Sequence, residues 1–216
     1  MPEGVEIEFY RRAAERALDR AIRSVDAHDE WFCKDGTVPR ELVATLTGRA
    51  FVSARRRGKL LLLDLDDGGV LGLRFGMTGR IIVDDEAPID TLEYSSDRND
   101  PTWDRFVVHF DDGGSLRIRD PRRLGGVSLD PDEAALGVDA FEVTAKELDR
   151  RIFVGDVAIK SRLLDQSRVA GIGNLIADET LWRAGIDPAA AAGSVDPNGR
   201  RRLLRHLRRV LSDFVR

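Results

Sequence analysis

Two acidic glycine turns set the limits on this fold. Asp66-Asp67-Gly68-Gly69 and Asp111-Asp112-Gly113-Gly114 each separate two short apolar runs. Aspartate followed by glycine suits a tight hairpin, because glycine takes positive φ without steric cost. The flanking runs, 60–65 with 70–75 and 106–110 with 115–119, have strand length and strand composition. Further strands are expected at 22–27, 50–55 and 80–83. A short helix is expected over 38–46, begun at Thr37-Val38-Pro39 and ended by Gly48. Many short strands at close turn spacing predict a β-sandwich. The two turns also hold much of the negative charge, and no chemistry is assigned to them.

Both ends of the chain are helical by pattern. Val5, Phe9, Ala13, Ala17 and Ala21 recur at helical spacing after Pro2. Acids crowd that start, and Arg16, Arg20 and Arg23 follow, which suits the helix dipole. From Ala145 onward helices dominate. Residues 158–167 carry Ile159, Leu163 and Leu164; a second helix carries Leu175, Ile176, Leu181 and Trp182, with Asp178 and Glu179 turned outward. Between them Gly171-Ile172-Gly173-Asn174 is too rich in glycine to continue a helix. Asn174 is placed to cap the second helix, and the N–H groups there suit a phosphate. The last helix, 197–216, has Leu203, Leu204, Leu207, Val210, Leu211 and Phe214 on one face and six arginines opposite. The fold class is therefore α+β: an N-terminal helix plus β-sandwich over 1–130, a linker over 131–144, and an all-α domain over 145–216. Residues 86–102 are polar, with Pro88 and Pro101, and are expected to form a loop.

Charge and cysteine content narrow the chemistry. The 216 residues carry a formal net charge of −4, which argues against nucleic acid at first sight. Its distribution matters more: residues 145–216 hold 14 Lys+Arg against 9 Asp+Glu, so the basic part carries the glycine turn. Cys33 is alone, which excludes an internal disulfide and a cysteine-based zinc site. No apolar run is long enough to span a membrane and no signal peptide opens the chain, so a cytosolic protein is expected. His28, His109 and His206 are scattered without ligand spacing.

The candidate chemistry starts at Pro2. Removal of Met1 would leave a terminal proline, a secondary amine less basic than lysine and able to attack a sugar anomeric carbon. Glu3 beside it could shuttle protons. The same acids are also adequately explained as a well-started helix with proline near its first turn. Arg55-Arg56-Arg57-Gly58-Lys59 interrupts the strand pattern. It reads either as a solvated basic turn or as a phosphate contact with Lys59 placed by the following strand.

These pieces together resemble the formamidopyrimidine-DNA glycosylase / endonuclease VIII family over nearly the whole chain. Residues 159–188, IKSRLLDQSRVAGIGNLIADETLWRAGIDP, closely resemble its helix–two-turn–helix DNA-binding element, and P-E-x-x-E-x-E resembles its catalytic N-terminus. Two motifs at opposite ends are far more specific than either alone. The resemblance implies Pro2 as nucleophile, Glu3 as acid/base with Glu6 supporting, and Lys59 contacting DNA beside the lesion. It implies that Gly76-Met77-Thr78-Gly79 and Asp120-Pro121-Arg122-Arg123-Leu124-Gly125 insert Met77, Arg122 and Leu124 where the damaged nucleotide leaves the stack. It implies phosphate contacts from Lys160 and Asn174. Leucine at 124 and Arg74 depart from the family, where an aromatic and a histidine are common.

The implied activity is a base-excision DNA glycosylase with AP lyase activity, using a proline Schiff base and no cofactor. Its partner is double-stranded DNA with damaged bases or abasic sites. A cytoplasmic, nucleoid-associated monomer without membrane contact is expected. A catalytically weak or inactive DNA-binding protein of the same fold is the alternative, and a structural domain without a DNA role ranks behind both. The family continues past this length into a zinc finger, and no CxxC occurs here. The chain is thus read as a fragment or a short member, with weaker DNA binding in either case. Gly4 leans towards oxidised pyrimidines and the GIGNLIADETLWRAGIDP string towards oxidised purines, so the lesion stays open.

Overall fold

The computed structural model describes residues 2–89, 92, 98 and 100–215. They fall into two compact units. One holds Pro2 and the chain from Glu6 to Pro131; the other holds Glu3–Val5 and the chain from Asp132 onward. No helix is long and apolar enough to cross a membrane among the described residues.

The first unit is built on two four-stranded sheets. One sheet has the order β1 (Ile22–Asp26), β6 (Asp104–Phe110), β7 (Ser115–Arg119), β5 (Arg80–Val83). The other has β2 (Phe51–Arg57), β3 (Leu60–Leu65), β4 (Val70–Arg74), β8 (Gly126–Leu129). Every neighbouring pair in these two sheets is antiparallel. Alternation decides which side chains enter the core. Phe106, Val108 and Phe110 of β6 are buried with Leu61, Leu63 and Leu65 of β3, while Val107 and His109 are only half-buried. Both expected hairpins form, with Gly68 and Gly113 each at φ +93°. Helix α2 (Pro39–Leu46) buries Leu42 and Leu46 in the same core.

Helix α1 (Gly4–Ala14) runs into a 3₁₀ turn at Glu15–Ala17. Its buried apolar residues are Val5, Ile7, Tyr10, Ala14 and Ala17. Of the expected stripe Val5 and Ala17 are buried, whereas Phe9 and Ala13 are half-buried and Ala21 is exposed. The chain leaves the helix at Leu18, whose backbone is extended, and Asp19 at φ +58° turns it so that Ala21 bridges Ala50.

Three further expectations need correction. Strand β2 continues to Arg57, because Arg55 and Arg56 pair across the ladder with Leu62 and Leu61 and the Arg55 guanidinium meets Asp64 at 2.9 Å. The basic turn therefore shrinks to Gly58-Lys59. Strand β8 was not foreseen: Gly125-Gly126 reads as a breaker, yet Gly126 pairs with Arg74 at a sheet edge. The linker expected over 131–144 is ordered, which the sequence did not indicate. It contains a 3₁₀ turn at Glu133–Ala135 and β9 (Val138–Asp139), and Ala140 and Val143 are buried. The polar loop expected over 86–102 falls partly on residues 90, 91, 93–97 and 99, which lie outside the described residues, as does Arg216, where the last helix was expected to end.

The second unit holds α3 (Ala145–Arg151), α4 (Ile159–Leu164), α5 (Asn174–Ala184) and α6 (Pro197–Val215), with β9 paired in parallel to β10 (Val169–Ala170). Thr144 and Glu147 form a reciprocal capping box on α3. Helix α5 packs on α6, burying Ile176, Ala177, Leu181 and Ala184 with Leu203, Leu207, Val210 and Leu211. Trp182 and Leu175 point away: they are 78% and 55% exposed, where the apolar reading had placed them inward. Each lies on the side of α5 opposite the α6 contact, and Gly185 ends the helix in the left-handed conformation at φ +63°.

Candidate functional site

The start of α5 is organised by a residue from the other end of the sequence. Glu3 is 4% exposed. Its Oε2 accepts from the backbone N–H of Gly173 (2.9 Å) and Ile176 (3.1 Å), and its Oε1 from that of Leu175 (2.8 Å). A helix N-terminus leaves such donors unpaired, and its dipole favours a negative group there. The phosphate expected at these N–H groups is thus anticipated by a carboxylate of the chain itself. Asn174 does not cap: Gly173 is the N-cap residue, no side chain of the cap position bonds to it, and Asn174 stands exposed. Glu3 wins that competition because a carboxylate can take three N–H donors at once.

The turn before α5 is tied by Gln166, which the sequence did not single out. Its Nε2 donates to the carbonyls of Leu164 and Ile172, and its Oε1 accepts from Gly171 N–H. Gly4 N–H donates to Gly171 O at 2.8 Å, and a Cβ on Gly4 would press on that oxygen at 3.0 Å. Close backbone approach therefore explains the small residue at position 4.

Pro2 is buried. Met1, whose removal would free its amine, lies outside the described residues. Glu6 sits in the first turn of α1, and burial first and Glu6 next push the Tyr10 phenol far above its ordinary value. Tyr10 donates to Gly79 O at 3.2 Å and its ring lies 4.6 Å from Phe75. Helix α1 thereby props the 76–79 turn. Lys59, half-exposed, occupies the two-residue turn from β2 to β3, where Gly58 takes φ +61° at the first central position.

The Met77 turn and the Arg122–Leu124 loop are brought together. A Cβ on Gly76 would overlap the Leu124 carbonyl and the Gly125 nitrogen. Asp120, fully buried, joins them: Oδ1 accepts from Thr78 Oγ1 (2.5 Å) and Arg122 N–H (3.2 Å), and Oδ2 from Gly125 N–H (2.8 Å). Around this anchor Leu124 is 51% exposed, Arg122 is exposed and Met77 half-exposed. Arg123, at φ +56°, turns back to pair with Asp29. The Asp-Pro pair was a readable turn signal, since aspartate often bonds the N–H two residues on. That it would reach a threonine 42 positions away was not readable.

Lys160 forms an ion pair with Asp178, at 2.7 and 2.9 Å to the two oxygens. Both are substantially exposed, so the pair contributes about 0–1 kcal/mol. A phosphate could exchange for Asp178 at small cost. On α6 several arginines act inside the unit: Arg202 donates to Ala184 O and Arg200 to Val195 O and Asp149. The expected basic side of that helix is partly spent on packing.

A groove of about 540 Å³ between α3 and α6, lined by Leu148, Phe153, Leu204 and several arginines, contains none of the predicted residues. Among the described residues no group of His, Cys, Asp and Glu could hold a metal ion. Taken by itself, the second unit offers a helix start whose N–H groups are held by a carboxylate of the chain, and the first a buried Pro2 and a pair of interlocked loops presenting an exposed leucine and arginine.

Known proteins resemble this chain over nearly its whole length. Residues 1–127 match the formamidopyrimidine-DNA glycosylase N-terminal domain and residues 129–216 the formamidopyrimidine-DNA glycosylase H2TH domain. The chain is 36% identical to formamidopyrimidine-DNA glycosylase of Paracoccus denitrificans, covering all of this chain and 78% of that protein. It is 34% identical to the enzyme of the same name from Nocardioides, covering 98% and 73%. It superposes on the Lactococcus lactis Fpg in complex with DNA containing N7-benzyl-Fapy-dG with a TM-score of 0.84 at 25% identity, covering 99% of this chain and 79% of that one. With both family models matched in order over residues 1–127 and 129–216, and a relative 36% identical over the whole chain, the chain belongs to the formamidopyrimidine-DNA glycosylase family.

Proposed function

We propose that this chain excises damaged bases through a Schiff base on Pro2 and then cleaves the strand. Its class is a base-excision-repair DNA glycosylase with AP lyase activity. Its partner is double-stranded DNA carrying damaged bases or abasic sites, as in the Lactococcus lactis complexes. It acts as a monomer in the cytoplasm, associated with the nucleoid, and its chemistry needs no cofactor.

The chemistry follows from the residues. With Met1 removed, the Pro2 nitrogen lone pair attacks C1′ of the extruded nucleotide. The glycosidic C1′–N bond breaks, and the base leaves with the electron pair and takes a proton. Glu3 takes the proton that the Pro2 nitrogen loses after attack and returns it to O4′ as the sugar ring opens, which gives the iminium. Loss of a C2′ proton then expels the 3′ phosphate by β-elimination. Lys59 assists by neutralising phosphate at the cleavage step, and Lys160 and Asn174 hold the backbone. Met77, Arg122 and Leu124 fill the vacated stack, which offsets an unstacking cost of roughly a few kcal/mol.

The observation that supports this reading best is the Glu3 carboxylate, held on three N–H groups directly after the proline. A merely binding protein would gain nothing from a free proline amine at its start. The test is borohydride trapping on oxidised-purine, oxidised-pyrimidine and abasic duplexes, with the N-terminus checked by mass spectrometry. A covalent adduct that Pro2→Gly abolishes is expected. A chain with Met1 removed that binds duplex but traps on none of the three supports instead the inactive DNA-binding reading.

A further inference from the structure

We propose that Asp120 is a positioning residue that locks the Met77 turn and the Arg122–Leu124 loop into one rigid wedge, so that both enter the duplex together during base extrusion. This rests on the glycosylase reading above.

The argument begins with cost. A carboxylate at 0% exposure is expensive unless its acceptor sites are filled. Here they are filled by exactly the groups that define the two loops: the Thr78 hydroxyl on one, the Arg122 and Gly125 N–H groups on the other. The Asp120 backbone extends the clamp, since its carbonyl accepts from Arg105 Nε (3.0 Å) and Arg123 N–H (3.3 Å) and its N–H donates to Trp103 O (3.0 Å). Thr78 is itself 1% exposed. The buried polar centre lies beneath, and the exposed Leu124 and Arg122 lie above it.

Asp120 is no part of the sandwich's apolar cluster. Its role is to hold loop N–H groups that no ladder can satisfy. An intercalating side chain is useful only if its backbone does not yield when it meets stacked bases. Two loops with independent backbones would each give way; tied through one carboxylate, they resist together.

The test compares two substrates in single-turnover kinetics, using 2-aminopurine beside the lesion to report unstacking. One duplex carries an intact damaged base, which must be extruded. The other carries a preformed abasic site, which has no base to unstack. Asp120→Asn should slow both the fluorescence rise and excision of the intact base by about tenfold, and cleavage of the abasic site by less than about threefold. Thr78→Val, which leaves the carboxylate in place, should act in the same direction more weakly, and carries the test if Asp120→Asn lowers the Tm. Equal losses on both substrates, or unchanged extrusion in both variants, would overturn the proposal. A Met-processed wild type inactive on both substrates would overturn the functional reading beneath it, and the wedge with it.

Discussion

Oε2 of Glu3 lies 2.9 Å from the backbone nitrogen of Gly173, 170 positions along the chain. The glycine and the glutamate explain each other: a Cβ at 173 would overlap the Glu3 carboxyl carbon and Oε1. Gly173→Ala should therefore push the carboxylate off α5 and leave its N–H donors unpaired, destabilising the chain by about 1–3 kcal/mol. Thermal melts would show it, and borohydride trapping should fall with it. A Gly173→Ala protein that melts and traps like wild type would break the link between this contact and the chemistry.

The Lys160–Asp178 pair predicts a change in binding without a change in stability. Asp178→Asn should leave the Tm nearly unmoved, because an exposed ion pair contributes about 0–1 kcal/mol. Duplex affinity should rise, since the lysine no longer exchanges a carboxylate for a phosphate. Lys160→Ala should weaken binding and make the log K against log salt line shallower by about one. Fluorescence anisotropy across a salt series reads both; an unchanged slope in Lys160→Ala would remove this lysine from the interface.

Leu124 and Gly76 separate wedge from scaffold. Leu124→Ala removes an exposed side chain, so stability should stay within about 0.5 kcal/mol while excision slows. Gly76→Ala adds a Cβ against the Leu124 backbone at φ +55° and should cost about 1–3 kcal/mol as well as slowing excision. Leu124→Phe should speed excision, because an aromatic ring can stack where leucine only fills. Denaturant unfolding beside excision assays distinguishes the three, and an inert Leu124→Ala would argue against insertion at this position.

His206 predicts an acid-side loss of stability. Burial first, then Arg205, Arg183, Arg209 and Arg202, hold its imidazole below the ordinary 6.5. As pH falls through that value the unfolded chain takes a proton that the folded chain still refuses. Stability is therefore complete above 6.5 and declines below it. His206→Gln should flatten that part of the Tm-against-pH curve; an identical slope in both proteins would show that other groups cause it.

By itself the sequence determined what is local. The aspartate-glycine turns, strand lengths and helix spacing were enough for the α+β class and for most strands, because each signal lies within a few residues of what it specifies. The resemblance of the P-E start and of residues 159–188 was equally legible, since both motifs are contiguous.

Tertiary structure decided which of several capable groups would meet. Asn174 had the right chemistry and position for a cap, yet Glu3 takes the N–H groups because packing delivers a stronger acceptor to them. Leu175 and Trp182 fit an apolar stripe, but which side of α5 faces α6 follows from the partner helix and not from the period. Asp120 is one acid among 38 Asp and Glu until folding encloses it between two loops. The physical reason is common to all three: a partner distant in sequence leaves no spacing to read, and its choice is made by burial and hydrogen-bond competition in the packed chain.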